Sequence, residues 1–243
     1  AACAWGRELS DRIVDATERL FDLVERHRPI LFEGANASLL DIDHGTFPFV
    51  TSSNPSVQGI GVGTGLPPSV VGRVLGVVKA YQTRVGAGPM PTQIEGVVAD
   101  AIRERGREFG TTTGRPRRIG WLDLVALRYT ARLNGATELA IMLLDVLSGL
   151  DELRLCTAYR YGGGEPSTAF RADAEALASV EPVYESVPGF SKDVTSASAL
   201  DELPPQARAY LDRISSFVGV PISLVSVGPD RVQTIRCRQE ATA

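Results

Sequence analysis

The stretch Gly110-Thr111-Thr112-Thr113-Gly114-Arg115-Pro116-Arg117-Arg118 concentrates the side chains best suited to gripping a small ligand. Three hydroxyls precede a glycine, which lets backbone approach a ligand closely. Guanidinium forks follow, and their planar donors match carboxylate and phosphate oxygens. Pro116 stiffens the chain between two of them. These residue types in this order point to an anion-binding loop, with a solvated basic loop as the plainer alternative.

Three further polar segments could contribute. In Glu33-Gly34-Ala35-Asn36-Ala37-Ser38-Leu39-Leu40-Asp41-Ile42-Asp43-His44-Gly45-Thr46, the acids and His44 hint at a metal site. Without a second cluster to match, the favoured expectation is turn-forming acids that cap backbone donors. Thr51-Ser52-Ser53-Asn54 adds neutral donors and acceptors that suit a sugar, base or phosphate and are also ordinary turn chemistry. The series Gly59, Gly61, Gly63, Gly65 is not a phosphate loop, because GxxxxGK[ST] occurs nowhere; a flexible or tightly packed loop is expected. Asp145, at the end of an apolar run, could accept two hydrogen bonds from a guanine edge, or serve as a helix cap or ion-pair partner. His27 and His44 make no triad, and no nucleophile motif is present.

Composition narrows the classes. The chain has 243 residues, 44% hydrophobic and 22% charged, enough to bury a sizeable core. A net charge of −4 argues against nucleic acid and anionic membrane as partners. No apolar run approaches the roughly 18 residues that a membrane-spanning helix needs. Cys3, Cys156 and Cys237 are odd in number and far apart, so free thiols in a reducing cytosol are expected, not disulfides or zinc. The opening Ala1-Ala2-Cys3-Ala4-Trp5 lacks both an initiator Met and a signal-peptide pattern, and suggests a fragment.

The elements that would position these groups follow from periodicity. Leu9, Ile13, Val14, Thr17, Leu20, Phe21 and Val24 predict one amphipathic helix, closed by Pro29. Residues 30–32 predict a short buried strand, and residues 46–68 a loop. Helices are expected over 69–81, 94–107, 121–133 and 201–218, with loops over 84–91 and 109–120. The apolar run 139–144 predicts a buried parallel strand, 153–161 an edge strand, and 222–227 the last clear strand. Strands alternating with helices imply an α/β fold, a mainly parallel sheet flanked by helices. In such sheets ligands bind beyond the carboxyl ends of the strands.

Taken in order, LFEGANASLLDIDHGTFPFVTSSN (31–54), VLGVVKAYQTRVGAGPMPT (74–92), EFGTTTGRPRRIGWLDLVALRY (108–129), LLDVLSGLDEL (143–153), PVYESVPGF (182–190) and GVPISLVSVGPDR (219–231) resemble adenylosuccinate synthetase. The resemblance covers about residues 8–236 and implies the family's P-loop-NTPase-related fold, here incomplete, as one α/β unit over 1–243. It implies GTP-dependent ligation of L-aspartate to IMP in AMP biosynthesis, by a cytoplasmic homodimer that uses magnesium (Mg2+). By resemblance, Asn36, Thr51, Val85 and Arg115 face IMP. Thr111, Thr112, Thr113, Gly114, Arg115 and Arg117 form the aspartate loop. Arg117, Leu143, Leu144, Asp145, Ser226, Val227 and Gly228 serve GTP.

The departures are specific. Asn36 replaces the family's glutamine, Ala37 a glycine, Met142 a threonine, Leu143 a lysine that contacts the base, and Val227 a common threonine. A guanine pocket missing one polar partner should discriminate less well. The family's phosphate loop, catalytic aspartate, catalytic histidine and magnesium ligands belong to an N-terminal part that these residues do not match. The chain alone is therefore expected to be inactive. A degenerate, non-catalytic nucleotide-binding relative is the alternative, and a basic nucleic-acid binder built on residues 103–118 ranks last.

Overall fold

The computed structural model describes residues 2–110 and 114–237. The chain begins with α1 (Ala2–Glu8) and, after a 3-10 turn, α2 (Ala16–Glu25). Within the single helix expected over 9–24 there are instead a 3-10 turn at Ser10–Arg12 and then α2. Asp15 divides them, because its carboxylate accepts the Glu18 backbone N–H at 3.1 Å, which starts a new helix. The strand expected at 30–32 does not form. Leu31 is 91% exposed, and none of the described strands pairs with this stretch. The expected loop 46–68 contains α3 (Gln58–Thr64), which ends on Gly65 at φ +78°, a left-handed cap that favours glycine.

Residues 69–81 form no α-helix. A 3-10 turn at Pro68–Val70 leads into β1 (Leu75–Lys79). Adjacent Val77 and Val78 are stiff in a helix and fit a pleat, and tertiary pairing decides the matter. β2 (Gln82–Arg84) and β3 (Gln93–Ile94) flank the expected loop. α4 (Val97–Arg105) lies within the expected helix 94–107. β4 (Arg118–Gly120) and β5 (Leu122–Asp123) precede α5 (Leu124–Asn134), whose cap is Asp123. β6 (Glu138–Met142) is the expected apolar strand. β7 (Glu152–Arg160), α6 (Ala174–Ser179), β8 (Glu181–Pro188), α7 (Pro205–Val218), β9 (Ile222–Ser226) and β10 (Thr234–Arg236) complete the order.

The fold is α/β with mixed sheets. The sheet β1-β6-β9-β10 is parallel across its first three strands, and only β10 runs antiparallel. The sheet β2-β4-β3 is antiparallel. In β5-β7-β8, β7 is central rather than an edge, parallel to β5 and antiparallel to β8. Its first half alternates, with Glu152 and Arg154 exposed and Leu153 and Leu155 buried, and a register irregularity between Cys156 and Ala158 breaks the pattern. β9 is also not the last strand, since Gln233 accepts and donates across a turn that lets β10 pair back onto it.

Ile102, Ile119, Leu124, Ile141, Leu155, Ile214 and Val225 share one large core, and Val125, Cys156, Tyr159, Leu177 and Val180 a smaller one. Cys3, Cys156 and Cys237 are free thiols. Buried Asp123 also bonds the Tyr159 hydroxyl, and burial pushes its carboxyl up to about 6. Tyr210 of α7 donates its hydroxyl to the Ala80 carbonyl at 2.6 Å, which ties that helix to the residue following β1. Tyr210→Phe strands a buried carbonyl and should cost about 1–3 kcal/mol of stability, read from the urea unfolding midpoint at unchanged slope.

Candidate functional site

The base of the Thr/Gly/Arg loop is closed like a hairpin. Arg117 N–H donates to the Glu108 carbonyl at 2.9 Å, Phe109 bridges Pro116, and Gly110 N–H donates to the Arg115 carbonyl at 2.8 Å. Gly114 stands at φ +63°, which suits glycine in so tight a turn. Thr111, Thr112 and Thr113 lie outside the described residues. Arg115 is exposed and held within the fold.

Glu108 is the buried anchor of this loop. Its Oε1 accepts from Lys79 Nζ and from the Tyr81 hydroxyl, each at 2.7 Å, and its Oε2 accepts from Arg117 Nη1 at 2.7 Å. Burial alone would raise its carboxyl, but these three donors outweigh burial and hold it below the usual carboxylate range. Arg103 Nε donates to the Arg117 carbonyl at 3.1 Å. Arg117 Nε is buried and has no hydrogen-bond partner among the described residues.

A second group gathers at the carboxyl ends of β6 and β9. Leu143 takes a left-handed conformation, φ +63°, and a 3-10 turn over Leu144–Leu147 follows. The turn presents Asp145, whose Oδ1 is buried without a partner. Burial, and then the nearby Asp193 carboxylate, raise the Asp145 carboxyl above its ordinary value. Leu144 and Val227 are fully buried, so neither offers a polar contact. Ser226 Oγ donates to the Gly228 carbonyl at 3.0 Å, while Gln233 packs over Gly228 and donates to the Thr195 carbonyl at 2.9 Å. Asp145 and Arg117 both act electrostatically on the buried Tyr81, which places the loop and the strand ends in one neighbourhood.

The third group is the turn after residue 36. Asp41 is buried and accepts five hydrogen bonds. Oδ1 takes the backbone N–H of Asp43 and His44 and the Asn54 amide, and Oδ2 takes Ser56 N–H and, at 2.6 Å, Ser56 Oγ. The expected capping role holds. Among the described residues no three His, Cys, Asp or Glu side chains converge on one point. Thr51 N–H donates to Leu40, which fixes it on this turn. Arg84 Nη2 reaches the Phe49 carbonyl at 3.2 Å and Thr46 Oγ1 at 3.3 Å, joining the turn to the segment that carries exposed Val85. Arg118 Nη1 donates to the Gly88 carbonyl at 2.7 Å and closes that segment onto β4. Asn36 is exposed.

Sequence reasoning therefore missed Lys79, Tyr81, Arg84, Glu108 and Asp193. Lys79 was hidden inside a misread helix, and Glu108 looked only like an interruption of a basic run. Arg103, Arg105, Arg117 and Arg118 each hydrogen-bond within the fold, Arg117 to the Glu108 carboxylate and the others to backbone carbonyls. Two surface depressions of about 440 Å³ each are present, one along α5 at Arg128 and Arg132 and the other beside the braced turn, lined by Phe49, Gly88, Arg118, Met90 and Leu177. They are open and shallow, and the convergent polar groups are the better guide to the site.

The family model for adenylosuccinate synthetase matches residues 1–235. Adenylosuccinate synthetase of Moorella thermoacetica is 52% identical over 233 residues, 95% of this chain and 54% of the relative. That of Bacillus licheniformis is 49% identical over 230 residues, 95% of this chain and 53% of the relative. The structure of fully ligated adenylosuccinate synthetase from Plasmodium falciparum superposes with TM-score 0.93 at 40% identity, covering 97% of this chain and 56% of that one. Cyanophage S-2L succinoaminodeoxyadenylate synthetase shares the fold, with TM-score 0.58 at 19% identity over 93% of this chain and 51% of that one. The chain spans about half the length of the curated relatives it matches.

The turn itself is testable through pH. Burial would raise the Asp41 carboxyl, but the Ser56 hydroxyl and three backbone N–H groups reverse this and lower it from 3.8 to about 2. The folded state thus favours the ionised form. Its stabilisation is complete above about pH 4 and is lost as pH falls through about 2. Asp41→Asn should flatten the dependence of the unfolding midpoint on pH between about 4 and 2, measured by denaturant titration at each pH.

Proposed function

The chain belongs to the adenylosuccinate synthetase family, a ligase family, and on that premise we propose that the protein containing it joins L-aspartate to IMP with GTP as the energy donor. In this reaction the γ-phosphoryl group of GTP passes to the 6-oxygen of IMP. The aspartate amine then attacks C6, and phosphate departs with the oxygen. Several negative charges must be held close together, so catalysis depends on positioning and charge neutralisation.

The observation that carries this reading is Asp145 Oδ1, a buried acceptor without a partner at the end of β6. A buried carboxylate left unmatched is costly, and a guanine edge offers two N–H donors in register with it. Gly228, just past the neighbouring parallel strand, would line the other side of the base, with buried Ser226 and Val227 supporting it from behind. Leu143 adds apolar contact only and buried Leu144 backs it, so Asp145 carries most of the polar discrimination against adenine. Arg117 would serve the phosphates and Arg115 aspartate and IMP, and Thr111, Thr112 and Thr113 would belong to the aspartate loop. Thr51, on the turn braced by Asp41, serves the IMP phosphate, and Val85 and Asn36 border the IMP pocket. Magnesium belongs with residues of the longer protein, and no step here is assigned to it. A homodimer in the cytoplasm is the assembly and compartment we propose; among the described residues no helix is long and apolar enough to cross a membrane.

A second reading draws on Leu143 and Val227. Apolar side chains at both base-facing positions suit a relative that binds nucleotide without turnover. The protein translated from the whole reading frame separates the two. With GTP, magnesium, IMP and L-aspartate it should yield adenylosuccinate, followed by chromatography of the nucleotides, while the 243-residue chain alone should yield none. Product from the short chain sinks the claim that it is incomplete, and no product from the full frame favours the binder. In the active protein, Asp145→Ala should raise KM for GTP at least about tenfold, leave KM for IMP nearly unchanged, and narrow the preference for GTP over ATP.

A further inference from the structure

Glu108 cannot touch a ligand. Its side chain is 2% exposed, whereas those of Lys79 and Arg117, which it binds, are 31% and 27% exposed. The carboxylate lies behind two cations whose outer faces remain reachable. Lys79 and Arg117 together carry two positive charges against one negative charge, so the cluster keeps a net charge of +1. A cluster built for stability alone would have every donor paired, and a buried ion pair by itself contributes little to stability. Here Arg117 Nε is buried with no acceptor among the described residues. The excess charge is shared by Lys79 and Arg117.

The position of the Arg117 guanidinium is over-determined from the protein side. Backbone Glu108 and backbone Arg117 pair at the base of the hairpin, their side chains pair at the same level, and Arg103 holds the Arg117 carbonyl. Tyr81 and Lys79 fix the other Glu108 oxygen to the end of β1. Lys79 Nζ is steadied in turn by Thr83 Oγ1 at 2.9 Å. The rigid sheet thus sets the direction of one arginine through one carboxylate.

We propose that Glu108 is a positioning residue for the nucleotide: together with Lys79 and Tyr81 it aims Arg117 so that the exposed part of the guanidinium meets a phosphate oxygen. This rests on the reading that Arg117 serves GTP. Pre-aiming an arginine lowers the ordering cost of binding, so loss of the carboxylate should appear in affinity for GTP rather than in every kinetic constant.

The test is a double-mutant cycle in the active full-length protein. Glu108→Gln should raise KM for GTP about tenfold and leave KM for IMP within about twofold. Tyr81→Phe, which removes one bond from Glu108 and keeps the ring, should raise KM for GTP about threefold. In an Arg117→Ala background either change should add less than about twofold. Simple loss of folded protein lowers kcat in proportion and leaves KM alone, so it cannot imitate this pattern. If Glu108→Gln does not fold, the Tyr81→Phe cycle decides alone. Arg117→Ala without effect on KM for GTP removes the assignment of Arg117 and the positioning role with it. Effects of Glu108 and Arg117 that multiply independently overturn the positioning role while leaving Arg117 in place. Equal rises in KM for GTP and IMP overturn it as well, because they mark general disorder.

Discussion

Parallel pairing of β6 with β1 on one side and β9 on the other brings the three carboxyl ends to one edge of the sheet. Val77 faces Ala140 and Val78 faces Ile141, while Ile141 also pairs with Val225. Through that register Lys79, Asp145 and Ser226 emerge beside one another, though far apart along the chain. Parallel strands demand cover on both faces, and α5 and α7 supply part of it with Leu124, Leu127, Leu211 and Ile214. The Tyr210 hydroxyl on Ala80 links this cover directly to the strand end.

Two acids near this edge experience opposite fates. Glu108 is buried but surrounded by three donors, and it remains ionised below its ordinary range. Asp145 is half-buried beside Asp193, and its carboxyl is pushed upward. One arrangement is complete in its carboxylate and incomplete in its arginine; the other is incomplete in the carboxylate itself. Both leave an unpaired polar atom, Arg117 Nε and Asp145 Oδ1. Buried polar atoms in folded proteins are nearly always paired; among the described residues these two and Ser148 Oγ, just past Asp145, are the exceptions, and they point to a place where a ligand with both donors and acceptors fits. A purine nucleotide has both, with N–H groups on the base and oxygens on the phosphates.

The Asp41 turn contributes by rigidity rather than by contact. Five donors converge on one carboxylate, and Arg84 then binds the same turn to the β2–β3 connection. Gly88 is required there, since a Cβ would fall 2.4 Å from Arg84 Nη2 and 2.9 Å from the Phe49 Cβ. Thr51 and Val85, on separate segments, are thereby carried by one braced unit. Acid-turn chemistry of this kind looks like metal chemistry in one dimension, because both use clustered oxygens. What separates them is where the oxygens point, here toward backbone N–H groups.

Local chemistry alone sufficed for several elements. The apolar run of β6 and the proline entry and periodicity of α7 each depend on residues that are neighbours in the chain, whereas the helix expected from 121 starts only at Leu124, because residues 122–123 pair with β7 and Asp123 caps. The anion-loop motif and the family resemblance were legible for the same reason, since they reside in contiguous residue types. Tertiary structure decided the rest. Residues 74–79 became a strand because β6 lay alongside, Leu31 stayed extended and exposed because no described strand did, and β7 became central because β8 folded back onto it. Glu108 acquired its place only when β1 delivered Lys79 and Tyr81 to it. Hydrogen bonds and charges act through space, so the partner that turns an ordinary glutamate into an anchor cannot be read from the residues beside it.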